Sequence, residues 1–181
     1  AVPGLAFPAE ESAFWVLANG GLQKYRLGLH PSRGIETVAV GPRHPIGVPT
    51  QGAQLNARKT AACLVVRSAN SAGTRAVLVN LADGEVRWQR QLGIIPAAPP
   101  IPHEAGVVLA AEDGSLVAVP GADAAVPGRA TVAPPAWMIA DSPDNATGPT
   151  AVAASPDGSV IYTVTPVLVT ENQKPLAKWL V

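Results

Sequence analysis

The stretch Ala76-Val-Leu-Val-Asn-Leu-Ala-Asp-Gly-Glu-Val-Arg-Trp-Gln-Arg-Gln-Leu92 decides the fold, because it places an Asp-Gly turn between two strand-like runs. Glycine adopts positive φ without steric cost, and Asn and Asp tolerate it better than most residues, so Asn-Gly and Asp-Gly strongly indicate a β-hairpin. The same arrangement recurs in three further segments, which are Phe14–Leu27, Val107–Val119 and Ala151–Val164. The chain is therefore predicted to be an all-β repeat array.

The composition agrees with short strands joined by many loops. Of 181 residues, 48% are hydrophobic and only 14% are charged, while 19 Pro and 17 Gly supply turn and breaker chemistry. The formal net charge is zero, so no overall electrostatic attraction favours nucleic acid or an anionic membrane as partner. No apolar run approaches the roughly 18 residues of a membrane-spanning helix. We therefore expect neither nucleic-acid binding nor a membrane span.

Spacing divides the chain into four units of unequal length, and a propeller blade commonly takes about 40 to 50 residues. The predicted units span approximately residues 1–28, 35–93, 94–140 and 147–181. Each ends near a large aromatic ring that is predicted to wedge between neighbouring sheets and fill the gap there. These rings belong to Tyr25, Trp88, Trp137 and Trp179.

Part of the chain resembles the PQQ-like β-propeller repeat. The likeness rests on Gly84-x-x-x-Trp88, the link Pro96-Ala-Ala-Pro-Pro100, the Gly-Val-Val run that begins at Gly106, and the Asp113-Gly114 turn. This resemblance implies a β-propeller segment of about four blades, the first one partial, built of four-stranded antiparallel sheets in one partial domain over residues 1–181. The apolar sequence that ends at Val181 is read as an open strand edge. We therefore expect a fragment of a larger bacterial protein whose ring is completed by further blades.

The departures from this family's pattern bear on function. Quinoprotein dehydrogenases of this fold use a vicinal cysteine pair and a calcium site, whereas Cys63 is the only cysteine and is predicted to be a buried, inert strand thiol. Asn80 stands where the repeat often has Asp, so a carboxylate that braces the turn is expected to be missing. The resemblance implies the fold without the quinone, and neither a cofactor nor a catalytic residue is predicted.

Candidate binding residues are few. Asp141-Ser-Pro-Asp-Asn145 with Asp157 offers oxygens to a hard cation, but the same residue types form turns for backbone reasons, and no metal site is predicted. Innermost strands of a propeller line its central channel, so polar side chains on and after the strand-like run 46–55 are possible ligand contacts. Solvation at the mouth of the blade accounts for them equally well. These residues are Gln51, Gln54 and Arg58.

Three function classes follow from these observations. The first is a non-catalytic protein-binding or scaffold module, because a rigid platform with many loops suits recognition. The alternative is a fragment of a quinoprotein-type enzyme, a PQQ-dependent dehydrogenase whose active residues lie in blades outside this chain. The third is a sensor domain joined to a kinase or a membrane anchor. The family resemblance and the single buried cysteine favour the periplasm or the cell surface.

Overall fold

The computed structural model describes residues 4–56, 58–68, 73–103, 106–120, 137–140, 147, 151–155, 160–171 and 174–180. Every regular element in these ranges is a β-strand, and all strand pairs are antiparallel. The strands form four sheets that follow one another along the chain. The prediction of an all-β chain is confirmed.

The first sheet consists of four strands in chain order, β1 (Leu5–Glu10), β2 (Ala13–Ala18), β3 (Gly21–His30) and β4 (Gly34–Pro45). Its first predicted hairpin is confirmed, since Asn19 and Gly20 both have positive φ between β2 and β3, as a type I′ turn requires. The sheet is complete rather than partial, because β4 pairs with β3 from Gly21↔Pro45 to His30↔Gly34. The predicted boundary at residue 35 is therefore wrong, since it puts β4 in the second unit, 35–93, and β4 belongs to the first sheet.

The second sheet contains five strands, β5 (Val48–Pro49), β6 (Gln54–Leu55), β7 (Ala61–Arg67), β8 (Thr74–Asn80) and β9 (Val86–Gln91). The Asp-Gly hairpin between β8 and β9 forms as predicted. The expectation that its turn lacks a bracing carboxylate is wrong. Asp83 accepts hydrogen bonds from the Glu85 amide at 2.9 Å and from Asn80 Nδ2 at 2.8 Å, so the Asp83 carboxylate braces the turn.

The third sheet contains β10 (Ile101–His103), β11 (Gly106–Ala110), β12 (Leu116–Pro120) and β13 (Trp137–Ala140), and the third predicted hairpin joins β11 to β12. The fourth sheet contains β14 (Ala151–Ala154), β15 (Ile161–Glu171) and β16 (Lys174–Leu180). β14 and β15 pair as the fourth predicted hairpin requires, while its turn at 156–159 lies outside the described residues.

The core lies on both faces of the second sheet. Alternate residues of β7, such as Ala62 and Leu64, pack with Trp15 and Leu17 of the first sheet. The residues between them pack instead against Val107, Leu109 and Val119 of the third sheet. A strand covered on both sides is expected to be apolar without alternation. The run Ala-Ala-Cys-Leu-Val-Val of β7 meets that requirement.

Candidate interaction surface

The three residues predicted to face a channel have different surroundings. Gln51 Nε2 donates a hydrogen bond of 2.8 Å to the Pro96 carbonyl, and this bond ties the segment after β5 to the link between the second and third sheets. Gln54 lies in β6, where its backbone pairs with Cys63, and its side chain is exposed. Arg58 is exposed in the following turn. Gln51 is thus engaged in an internal contact, and a channel role for the trio stays a prediction.

The donor set for a quinone cofactor does not fit the residues present. The vicinal cysteine pair needs two thiols, and Cys63 stands alone, buried between the second and third sheets. Burial raises the pKa of the Cys63 thiol to about 12, so it carries no reactive thiolate at neutral pH. Within the described ranges no group of three or more His, Cys, Asp or Glu side chains is placed to hold a metal ion. The acidic segment 141–145 and Asp157 lie outside the described residues.

The first and second sheets meet around Trp15, which the sequence did not single out. Its side chain is only 2% exposed, and its Nε1 donates a hydrogen bond of 2.9 Å to the Leu81 carbonyl in the turn between β8 and β9. His44 contacts the ring edge-on, with 6.2 Å between the ring centroids. A Cβ on Gly84 would lie 2.5 Å from the Trp15 ring, so the turn approaches Trp15 as closely as glycine permits.

A charged pair crosses the rim of this interface. Lys24 Nζ lies 2.7 Å from Glu10 Oε1 and 3.3 Å from the Ala82 carbonyl, and it sits over the Trp15 ring at 5.8 Å from the centroid. The hydrogen bond and the charge of Lys24 lower the pKa of Glu10 from its ordinary value. Lys24 therefore links the first sheet to the turn of the second, which is a structural role.

The opposite side of the first sheet, which we call the outer face, carries mainly apolar side chains, with Gln23 and Thr37 among them. Phe14 and Tyr25 stack there with ring centroids 5.9 Å apart. The apolar surface continues onto the part of the β3–β4 hairpin that extends beyond β2, residues 27–37, which we call the arm. Leu29 and Ile35 face each other across the arm and are 83% and 75% exposed.

The aromatic residues at the ends of the predicted units lie in different environments. Trp88 is buried between the second and third sheets, so its predicted role as an inter-sheet wedge is confirmed. Tyr25 lies on the outer face against Phe14 rather than between two of the described sheets. The side chains of Trp137 and Trp179 lie outside the described part of the structure. Trp15 was missed, because all six residues of β2 are apolar and only the structure shows that Ala13, Trp15 and Leu17 form its buried face.

Comparison with known proteins adds no family. Neither protein families nor curated protein sequences give a match to this chain. No helix long and apolar enough to cross a membrane occurs in the part of the chain that the structure describes. The fold and the surfaces therefore define an all-β protein of successive antiparallel meander sheets, with one sheet covered on both faces and an apolar outer face on another.

Proposed function

We propose that this chain is a non-catalytic PQQ-like β-propeller module that binds a protein partner through the outer face of its first sheet. The stacking of consecutive meander sheets on both sides of the second sheet supports the propeller part of the proposal, since neighbouring blades of a propeller pack in this way. The Gly84-x-x-x-Trp88 and Asp113-Gly114 pattern supports the family part. The scaffold role is carried by the outer face.

The exposed apolar surface of the arm is the observation that carries the proposed binding role. Fully burying a large aliphatic side chain is worth about 1.5–3 kcal/mol, so leaving Leu29 and Ile35 in water forgoes that stabilisation. Contiguous exposed apolar patches mark interaction sites more often than scattered single residues do. The arm continues the apolar outer face, which extends to the Phe14–Tyr25 pair in the body of the sheet.

The chemistry of the outer face favours protein over nucleic acid. Strand alternation places no charged residue of β1, β2 or β3 on this face. Arg43 of β4 covers Gly21 at the end of the face, but its guanidinium donates to the Ala18 and Asn19 carbonyls, so the face offers phosphate groups only one cation, and that cation is already hydrogen-bonded. Apolar contacts surrounded by polar residues are typical of the centre of a protein–protein interface. The expected partner therefore presents an apolar patch of its own. The residues of the outer face are Ala6, Pro8, Phe14, Val16, Gln23, Tyr25, Leu27, Leu29, Ile35, Thr37 and Ala39.

A photo-crosslinking residue at Leu29 tests the proposal in the native host. We expect one discrete crosslinked protein that disappears when Ile35→Asp is added, because a buried unpaired charge opposes association. The matched control places the same probe at Leu168, which is 45% exposed in β15 and belongs to the fourth sheet. Identical crosslinked species from both positions would count against the outer face.

A titration addresses the enzyme alternative directly. Under the scaffold proposal, calorimetry of the full-length protein with pyrroloquinoline quinone and Ca²⁺ gives no saturable heat. Under the enzyme alternative it does, and the cysteine pair that the single buried Cys63 cannot form then lies in further blades. Saturable binding would replace the scaffold proposal with the quinoprotein one.

A further inference from the structure

β4 is the last strand of the first sheet, and its far side pairs with no other strand of the described chain. The direction of its free backbone groups follows from one hydrogen bond. The Leu27 amide donates to the Ser12 carbonyl at 2.9 Å, so it points away from β4. Leu27 pairs with Thr37, and the two are thus a non-hydrogen-bonded pair. The N–H and C=O groups of Thr37 therefore point outward, and by alternation so do those of Ile35 and Ala39.

This free edge has defined limits. Gly34 and Gly41 both have positive φ, 78° and 74°, and each interrupts the extended backbone. The first closes the turn of the arm, and the second begins an irregularity that includes Pro42, which has no N–H to donate. The regular segment between these limits is Gly-Ile-Glu-Thr-Val-Ala-Val, residues 34–40. Its centre is Thr37, and the outward-pointing residues Ile35 and Ala39 lie symmetrically about it.

Segment 34–40 of this edge carries little of the usual protection against pairing. Natural edge strands are blunted by charged side chains, Pro or β-bulges. β9 at the edge of the second sheet carries Arg87 and Arg90, whereas the irregularity with Pro42 in β4 lies beyond residue 40. Segment 34–40 contains no Lys, Arg or Pro, and Glu36 is its one charged residue. Beyond the end of β2 the arm consists of β3 and β4 alone, and a two-stranded ribbon is only marginally stable in water. An added strand would stabilise it.

We propose that a second copy of this chain pairs with this edge, β4 against β4, antiparallel about a two-fold axis at Thr37. In this register Ile35 faces Ala39 of the second copy, and all outward backbone groups of the three odd-numbered residues find partners. Glu36 faces Val38, so the two like charges are never directly opposite. The inference depends on the backbone edge and not on the apolar outer face. It goes beyond the proposed function and does not rest on it.

Charge substitutions at the axis test the register with purified protein. Sedimentation equilibrium is expected to show a dimer for the wild-type chain and for Thr37→Val. Thr37→Lys and Thr37→Glu, each alone, are expected to associate at least about tenfold more weakly, because they oppose like charges. An equimolar mixture of the two variants is expected to recover the dimer. A monomeric wild type, unaffected charge variants, or a mixture that stays monomeric would each overturn the proposal.

A disulfide gives a second readout that does not depend on affinity. Hydrogen-bonded antiparallel partners have Cα atoms about 5.5 Å apart, within disulfide range, so Thr37→Cys is expected to crosslink on mild oxidation. Val38→Cys is the control, because Val38 faces Glu36 of the second copy and the two Val38 positions are then about 8 Å apart. The native Cys63 is buried and does not interfere. Equal crosslinking at both positions would contradict the register, as would none at residue 37.

Discussion

β7 and the arm are both runs of apolar, strand-forming residues, yet their surroundings are opposite. Six consecutive residues of β7 are buried, because the first sheet covers one face and the third sheet covers the other. In the arm Leu29 and Ile35 stand opposite each other in solvent. The comparison shows that apolar β sequence alone does not fix burial. The number of covering sheets does, and it also sets what each residue contributes to stability.

The largest expected effect comes from replacing leucine by alanine once in β7 and once in the arm. Leu64→Ala removes methylene groups from the core between the first two sheets and is expected to lower the free energy of unfolding by about 2–5 kcal/mol. Leu29→Ala is expected to change it by less than about 0.5 kcal/mol, since the side chain is already in water. Urea denaturation measures both. Similar losses would mean that the arm is covered in solution.

Gly84→Ala probes how closely the first two sheets approach. Gly84 has a φ of 78°, and a Cβ there would meet the Trp15 ring, so we expect a loss of about 1–3 kcal/mol. Gly93→Ala is the control, because nothing lies within 4 Å of a Cβ at that position. Thermal unfolding of the two variants compares them. A stable Gly84→Ala protein would show that Trp15 does not pack against this turn.

Trp15→Phe removes the polar contact of the same interface together with part of the buried ring. The variant keeps an aromatic ring but loses the hydrogen bond from Nε1 to the Leu81 carbonyl, and we expect a loss of about 1–2 kcal/mol. Chemical denaturation provides the measurement, with Phe14→Leu on the outer face as control. If Phe14→Leu lowered the free energy of unfolding as much as Trp15→Phe does, burial and hydrogen bonding at Trp15 would add no stability beyond that of an outer-face ring.

The smallest expected effect is electrostatic and lies at the exposed rim. Lys24 lowers the pKa of Glu10, so its stabilisation is present above the ordinary value of 4.5 and is lost as pH falls through the lower folded value. In Lys24→Met the Glu10 pKa is expected to rise toward 4.5, as followed by NMR titration of the carboxyl group. Lys174→Met, in β16, should leave it unchanged. An unmoved Glu10 pKa in Lys24→Met would contradict the 2.7 Å ion pair.

Local sequence patterns predicted the elements that are specified by residues close together in the chain. The three hairpins at Gly20, Gly84 and Gly114 follow from turn chemistry, and the burial of β7 follows from its uninterrupted apolar run. β4 falls in the predicted second unit because the units are spaced by the Asn-Gly and Asp-Gly turns at Gly20 and Gly84, and the turn that precedes β4 has neither pair. Its membership of the first sheet depends on pairing with β3, for which the turn Pro31-Ser-Arg-Gly34, with Gly34 at a φ of 78°, is a weaker local signal than Asn-Gly or Asp-Gly.

The candidate sites were harder to predict for the same reason. Gln51 is polar and lies between strands, which favours a ligand contact, but its actual partner is a carbonyl 45 positions away along the chain. The exposure of the arm was also hidden, because Leu29 and Ile35 are ordinary strand residues until the sheet order is known. Residue type indicated the chemistry available, whereas tertiary neighbours determined its use.

The double coverage of the second sheet has a consequence for how substitutions combine. Adjacent residues of β7 belong to separate cores, Leu64 with the first sheet and Val65 with the third. Pairwise coupling should therefore alternate along the strand, so that Leu64 compensates for changes at Leu17 while Val65 compensates for changes at Leu109. The sequence of β7 is therefore constrained by two independent cores, which alternate from one residue to the next.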